Sequence, residues 1–211
     1  MVDGVDLRLH LADEVEPLWH ATEAVLGPNP PIPFWAFAWA GGLALGRYLQ
    51  ANPGEVRGKR VLDFGTGGGL VAIVASLAEA EHVAAADIDP FAEAAVAMNG
   101  RANGARVAFV RRDLLDEPPP DVDVLLAADT WYEGPLAELV LPWLQAAAAR
   151  GTRVLVGDPG RKYLPDADSA GLEVLQLDEV HTTTTLEDRE LVAATVYALA
   201  PPSPRTTPSP R

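Results

Sequence analysis

The sequence predicts an α/β fold: a doubly wound sheet of seven strands, mostly parallel, ending in an antiparallel pair and preceded by N-terminal helices. Three observations predict it. From Arg60 to Asp158 short apolar runs alternate with helix-period segments, the rhythm of βαβ units. The first of these strands, RVLDF, leads into a loop holding Gly65, Gly67, Gly68 and Gly69. Beyond Asp166 two strand-like runs, LEVLQLDEV and ELVAATVYAL, are separated only by HTTTTLEDR. That connection is too short for a crossover helix, so the two runs should pair antiparallel. Five strands in βαβ order plus this pair make a Rossmann-like sheet.

The elements follow in chain order. Val15, Leu18, Trp19, Thr22 and Val25 recur at helical spacing and predict a helix over 12–26. GPNPPIPF, with four prolines, breaks it. WAFAWAGGLALGRYLQ should turn helical in its second half and stop before Pro53. RVLDF, HVAAAD, RVAFV, DVDVLLAAD and TRVLVGD read as strands. GLVAIVASLAEA, PFAEAAVAMNGRAN and LAELVLPWLQAAAA read as helices, the last kinked at Pro142. One domain is expected over 1–200, its first 55 residues helical and aromatic. The Pro/Ser/Thr-rich tail at 201–211 has nothing apolar to bury and should be disordered.

Composition narrows the function classes. A chain of 211 residues suits one well-buried domain. Its formal charge of −14 opposes nucleic acids and anionic headgroups, which are bound by Lys and Arg. With no cysteine, disulfides and thiolate metal sites are excluded. The four histidines, His10, His20, His82 and His181, lack metal-ligand spacing. MVDGVDLRLH does not read as a secretion signal, and the uncharged apolar run from Phe34 to Gly46 is shorter than the ~20 residues of a membrane helix. A soluble, cytoplasmic monomer without a metal is therefore expected.

The glycine loop carries the cofactor argument. A dinucleotide site wants G-x-G-x-x-G, with a pyrophosphate at the helix N-terminus. Here the third glycine position is Leu70, and Asp63 ends the strand before the loop. An aspartate there would repel a pyrophosphate and attract a ligand ammonium. S-adenosylmethionine offers an ammonium, a sulfonium and an adenosine, with no phosphate. Asp87 lies 22 residues beyond Gly65 (87 − 65), close to the ~20 expected of an acid that accepts from ribose hydroxyls. Asp89 precedes Pro90, so it reads as a helix N-cap. Asp113, after the third strand, is a candidate for the adenine edge and equally a solvated loop carboxylate.

LDFGTGGG, ADIDP and the terminal strand pair resemble the class I, seven-β-strand S-adenosylmethionine-dependent methyltransferases. More narrowly, PFWAFAWAGG, VLDFGTGGGLVAI, ADIDPFA, ADTWYE and GDPGR resemble the lysine methyltransferases that modify the β subunit of electron transfer flavoprotein, together with their bacterial relatives. The likeness runs from Pro33 to Arg161 and continues more weakly through TTTTLEDRE and the last strand. It implies methyl transfer from S-adenosylmethionine, with S-adenosylhomocysteine as product, to a lysine in a basic, exposed protein segment. The cofactor residues would be Trp39, Asp63, Gly65, Gly67, Gly69, Asp87 and Asp113. Asp129 and Tyr132 form the D-x-x-Y signature and are the candidate catalytic pair.

At the end of the fourth strand Asp129 can accept hydrogen bonds from an incoming amine. A carboxylate also favours the non-nucleophilic ammonium, so orientation suits it better than base catalysis. Trp39, Trp131 and Tyr132 are candidate aromatic partners for the amine, and Trp35 and Phe37 read as core. GDPGR is equally a turn with a solvated Arg161. Other readings stay open: a nicotinamide-type small-molecule N-methyltransferase, a non-catalytic cofactor binder, and an NAD-dependent oxidoreductase, the last opposed by Asp63 and Leu70.

Overall fold

A computed structural model describes residues 3–182 and 190–201. The expectations placed on 183–189 and on the tail from 202 onward lie outside the described residues. The strands are β1 (Arg60–Phe64), β2 (His82–Asp87), β3 (Ala108–Arg111), β4 (Val124–Ala128), β5 (Arg153–Asp158), β6 (Leu172–His181) and β7 (Leu191–Leu199). They form one sheet in the order β3-β2-β1-β4-β5-β7-β6. The β1, β2, β3, β4 and β5 neighbours pair parallel, and β7 runs antiparallel to both β5 and β6. The predicted seven-stranded architecture is therefore the observed one.

The helices are α1 (Val15–Leu26), α2 (Ala40–Ala51), α3 (Leu70–Leu77), α4 (Ala92–Asn103), α5 (Gly134–Ala148) and the short α6 (Ala167–Ala170). Alternation along each strand sorts the core into two layers. Val61, Val83 and Leu126 face Leu45 and Leu49 of α2, Ile73 of α3 and Val96 of α4. Their sequence neighbours Leu62 and Leu125, with Val156, face Val140, Trp143 and Leu144 of α5. The helix α5 is continuous through Pro142.

Several boundaries move. The first helix begins at Val15 and not at Ala12, which leaves Pro17 in its first turn, where a missing N–H costs nothing. β3 starts two residues later than RVAFV suggested, and α3 stops at Leu77. No sequence pattern marks the residues before the first helix, yet Val5 and Leu7 are fully buried in the first core layer.

The closest packing joins α2 to β5. Gly41 and Gly157 lie backbone to backbone, so a Cβ on either would run into the carbonyl oxygen of the other. Neither backbone can yield without moving a core helix off the sheet. Gly157→Ala should therefore destabilise the fold by about 3 kcal/mol, the upper range for overpacking. Chemical denaturation of the two proteins measures it, and a midpoint unchanged from wild type would refute the contact.

Candidate active site

Strand order reverses between β1 and β4, and ligands of open α/β sheets sit outside the carboxyl ends of the strands at such a point. β1 delivers the chain into the glycine loop there. Gly65, Gly67 and Gly69 have φ of +65°, +52° and +84°, the left-handed region that glycine enters without a Cβ penalty. Gly67 N–H donates to Asp87 Oδ2 at 2.8 Å, and Thr66 N–H to the Ala86 carbonyl at 3.0 Å, which ties the loop to the end of β2. Asn99 of α4, fully buried, donates to the Gly68 carbonyl at 2.8 Å and accepts from His10 N–H at 2.7 Å.

Residues 34–36 form a single 3-10 turn over this loop. A Cβ on Gly68 would come within 2.7 Å of the Trp35 carbonyl oxygen, so Gly68 is required by that roof. Trp35 is thus not the core residue expected: it is half-buried, its ring lies 5.6 Å from Phe91, and its indole N–H is buried without a partner. Phe37 is core.

Asp63 does not stand at the loop mouth as expected. It is 2% exposed and lies behind the loop, where Oδ2 accepts from the Thr66 hydroxyl at 2.5 Å and from Ala72 N–H in the first turn of α3 at 3.1 Å. Its charge faces the protein's own donors. Burial pushes its carboxyl up to about 7. Asp87, at the end of β2, is half-buried and accepts from Gly67 N–H and, at 2.9 Å, from Asp89 N–H. An ionised carboxylate has about four acceptor positions, so two remain for other donors. Asp89 accepts from Phe91 N–H at 2.8 Å and caps a turn, because α4 begins only at Ala92, two residues later than a cap at Asp89 implies. Asp113 is exposed and closes its own turn with Leu115 N–H at 3.0 Å.

The second half of the site is built on Asp129, just past β4. Its φ is +57°, uncommon for a residue with a side chain although tolerated by aspartate. Gly41 N–H at 3.2 Å donates to Oδ1 and Gly42 N–H at 2.8 Å to Oδ2, so the carboxylate caps α2. Arg161 grips Oδ1 with Nε at 3.1 Å and Nη2 at 2.6 Å. The two side chains are only 11% and 16% exposed, so Arg161 is not solvated. Burial holds the Asp129 carboxyl above the ordinary range, although Arg161 and the two amides pull it down.

Arg161 is fixed from both sides. Asp158, at the end of β5, accepts its backbone N–H at 2.7 Å, and the Trp39 ring centroid lies 5.4 Å from the guanidinium carbon. Asp158 Oδ2 is buried without a partner, and burial, with Asp129 nearby, pushes this carboxyl up to about 6. The sequence had singled out neither Asp158 nor the Arg161 contact; GDPGR was the available signal. The close approach that Gly41 permits is to Gly157 of β5. Trp39 donates its indole N–H to the Phe34 carbonyl at 2.9 Å and packs edge-on against Phe34. Tyr132 tilts against Phe34 at 5.1 Å and is 42% exposed. Trp131, expected beside the amine, is wholly buried in the α5 layer.

The family model for ribosomal protein L11 methyltransferase (PrmA) matches residues 47–152. The fold is also that of a magnesium protoporphyrin IX methyltransferase from Synechocystis PCC 6803 solved with bound S-adenosylmethionine. That likeness has a TM-score of 0.55 at 15% identity and covers 75% of this chain and 78% of that one. Sheet order, glycine loop and the acid closing β2 together define the class I methyltransferase fold.

Within that class, the chain belongs to the electron transfer flavoprotein β-subunit lysine methyltransferase family. It is 36% identical to the Xenopus laevis protein over 172 residues, covering 80% of this chain and 70% of that one. Against the Rattus norvegicus protein it is 43% identical over 131 residues. This covers 61% of the chain, which spans about half the length of that relative.

Asp63 gives a pH-dependent test of the loop. Its folded value near 7 is raised above the ordinary 3.8. Its contribution is therefore fully present below about pH 4 and is lost as pH rises through 7. Asp63→Asn removes this titration while keeping an acceptor for Ala72. Between pH 5 and pH 8 the stability of wild type should fall relative to the variant by on the order of 2–4 kcal/mol, read from paired melts. A constant difference across that range would show that Asp63 is not held as described.

Proposed function

We propose that this chain is an S-adenosylmethionine-dependent protein-lysine N-methyltransferase, releasing S-adenosylhomocysteine, with the β subunit of electron transfer flavoprotein as its substrate of first choice. The family members carry that activity in their names. The site fits the cofactor: a glycine loop with no basic residue for phosphate, a half-buried acid at the end of β2 and an unpartnered indole N–H above the loop. When bound, the cofactor supplies an electrophilic methyl group. Gly65, Gly67 and Gly69 let the backbone approach it, with Asp63 holding the loop from behind. Asp87 would accept from the ribose hydroxyls, the Asp113 turn would meet the adenine edge, and Trp39 would border both cofactor and amine. Catalysis by the chain is mainly alignment, worth roughly 7–11 kcal/mol in favourable cases. Phe34, Trp39 and Tyr132 supply the wall that aligns the amine.

The observation that supports a protein substrate over a nicotinamide-sized one is α1. Only Thr22 of its twelve residues is buried, and none joins either core layer. Asp13, Glu14, Glu16 and Glu23 are on or beside it, with no Lys or Arg between Arg8 and Arg47. Val25, Leu26 and Ile32 are exposed. The helix is tied to the site rim by Trp19 Nε1, which donates to the Pro30 carbonyl at 3.1 Å, and by Ala12 N–H, which donates to the Ala36 carbonyl at 2.9 Å. An acidic, partly apolar helix on the rim suits a basic protein segment around the target lysine.

Two measurements check this reading. Asp87→Ala should weaken S-adenosylmethionine binding by roughly 1.5–3 kcal/mol, the value of hydrogen bonds to a charged acceptor. Calorimetry on wild type should also show no NAD binding; tight NAD binding with none for S-adenosylmethionine would overturn the assignment. For the partner, charge reversal of Glu14, Glu16 and Glu23 to Lys should lower kcat/KM on the flavoprotein β subunit at least about tenfold at low salt, with a smaller loss at high salt. Mass spectrometry locates the methylated lysine. Turnover of nicotinamide but of no protein would favour the small-molecule reading.

A further inference from the structure

An acid at the methyl-transfer point would ordinarily be the counter-ion of the lysine. Here that position is taken. Asp129 Oδ1 accepts two bonds from the Arg161 guanidinium and one from Gly41, and Oδ2 accepts from Gly42. A substrate ammonium would have to displace a buried, forked ion pair whose arginine is also held through its backbone by Asp158 and covered by Trp39. We propose that Arg161 is a positioning residue of methyl transfer, which occupies the Asp129 carboxylate so that the target lysine meets an aromatic wall and a fixed cation in place of a counter-ion.

The chemistry agrees with the geometry. Only the neutral amine has the lone pair that forms the new N–C bond. A guanidinium near the nitrogen disfavours the ammonium form and so enlarges the reactive fraction. The wall of Phe34, Trp39 and Tyr132 offers the amine apolar ring surface and no anion. Other charged or titratable groups near this point are Asp158 from the end of β5, Tyr132 and Glu133 after β4, and Asp87 from the end of β2. Burial pushes the Asp158 carboxyl up to about 6, so at pH 7.5 it still carries its charge, and Arg161 offsets it together with Asp129. Arg161 is the cation that these acids hold in the site, and Asp129 is the anion that grips it.

The inference rests on the lysine methyltransferase reading, and kinetics on recombinant flavoprotein β subunit separate the two. A wild-type chain that methylates no lysine overturns that reading and this inference with it. With active wild type, Arg161→Gln should lower kcat about tenfold at pH 7.5 and shift the rising limb of the kcat profile up by about one pH unit. Activity should then recover toward wild type by about pH 9.5. KM should stay level or fall, because Asp129 becomes available to the ammonium, and S-adenosylmethionine affinity should change less than about threefold. Arg161→Lys, which keeps the charge, should keep the wild-type profile at a lower rate. Asp129→Asn removes one carboxylate charge from beside the guanidinium and should move the profile to lower pH without raising KM; this arm decides the question even where Arg161→Gln does not fold. A loss equal at every pH, a loss of cofactor binding, or a steep rise in KM for Asp129→Asn would each overturn the inference.

Discussion

The site depends on a single carboxylate placed at the end of a helix it does not belong to. The first N–H groups of α2 have no partner within the helix, and Trp39 at its N-cap supplies none. Asp129 supplies two acceptors from 87 and 88 residues away in the chain. Bonds of this kind, charge-assisted and aligned with the helix dipole, are among the stronger polar contacts a fold makes. The Gly41–Gly157 contact makes them possible, because a side chain on either residue would lift the helix end off the sheet. The left-handed backbone of Asp129 is the local cost, of order 1 kcal/mol, and it turns the carboxylate back toward the helix.

The same device occurs at the glycine loop. Asp63 belongs to β1 and accepts from Ala72 in the first turn of α3, as Asp129 accepts from the first turn of α2. In each case a strand-end acid sets where a helix begins, and burial shifts its titration upward. The two helices flank the switch point of the sheet. Their N-termini are fixed relative to the strands by buried hydrogen bonds rather than by loop length, which suits a site whose contribution is alignment. Asp87 differs: it is only half-buried and keeps acceptor positions open, which fits an acid that faces a ligand.

Most of the fold was legible because its signals are local. Apolar runs, turn glycines and a short final connection specify strands and their order with little help from tertiary context. The site was legible only as a set of positions. Asp63, Asp87 and Asp129 were found at strand ends, but the direction of each carboxylate is set by donors far away in the chain. Asp63 was read as facing a ligand and faces Thr66. Trp131 and Trp35 were exchanged between core and site, since neighbouring aromatic residues in one segment point to different layers and no periodicity tells them apart there. Arg161 was undecided because a guanidinium after a turn is usually solvated, and only the β4–β5 pairing brings it to Asp129. Val5 and Leu7 lacked any repeating pattern to mark them as core.

The charge distribution combines two opposed requirements. A net charge of −14 attracts a basic partner over distances of about a Debye length, and α1 concentrates acid on the rim. Carried to the reacting point, the same attraction would hold lysine as an ammonium with no lone pair to react. The structure separates the two by depth. Acids on the rim are exposed and bear their charge outward, whereas Asp63 and Asp129 are engaged by helix N-termini, the glycine loop and Arg161. Asp158, the inner acid with an unpartnered oxygen, is also the one that burial and Asp129 push up to about 6. Under the proposed function, an amine moving inward would pass from exposed acids to acids already engaged by the protein's own donors. The ring cluster of Phe34, Trp39 and Tyr132 stands between the two, an apolar surface that offers the amine no anion of its own.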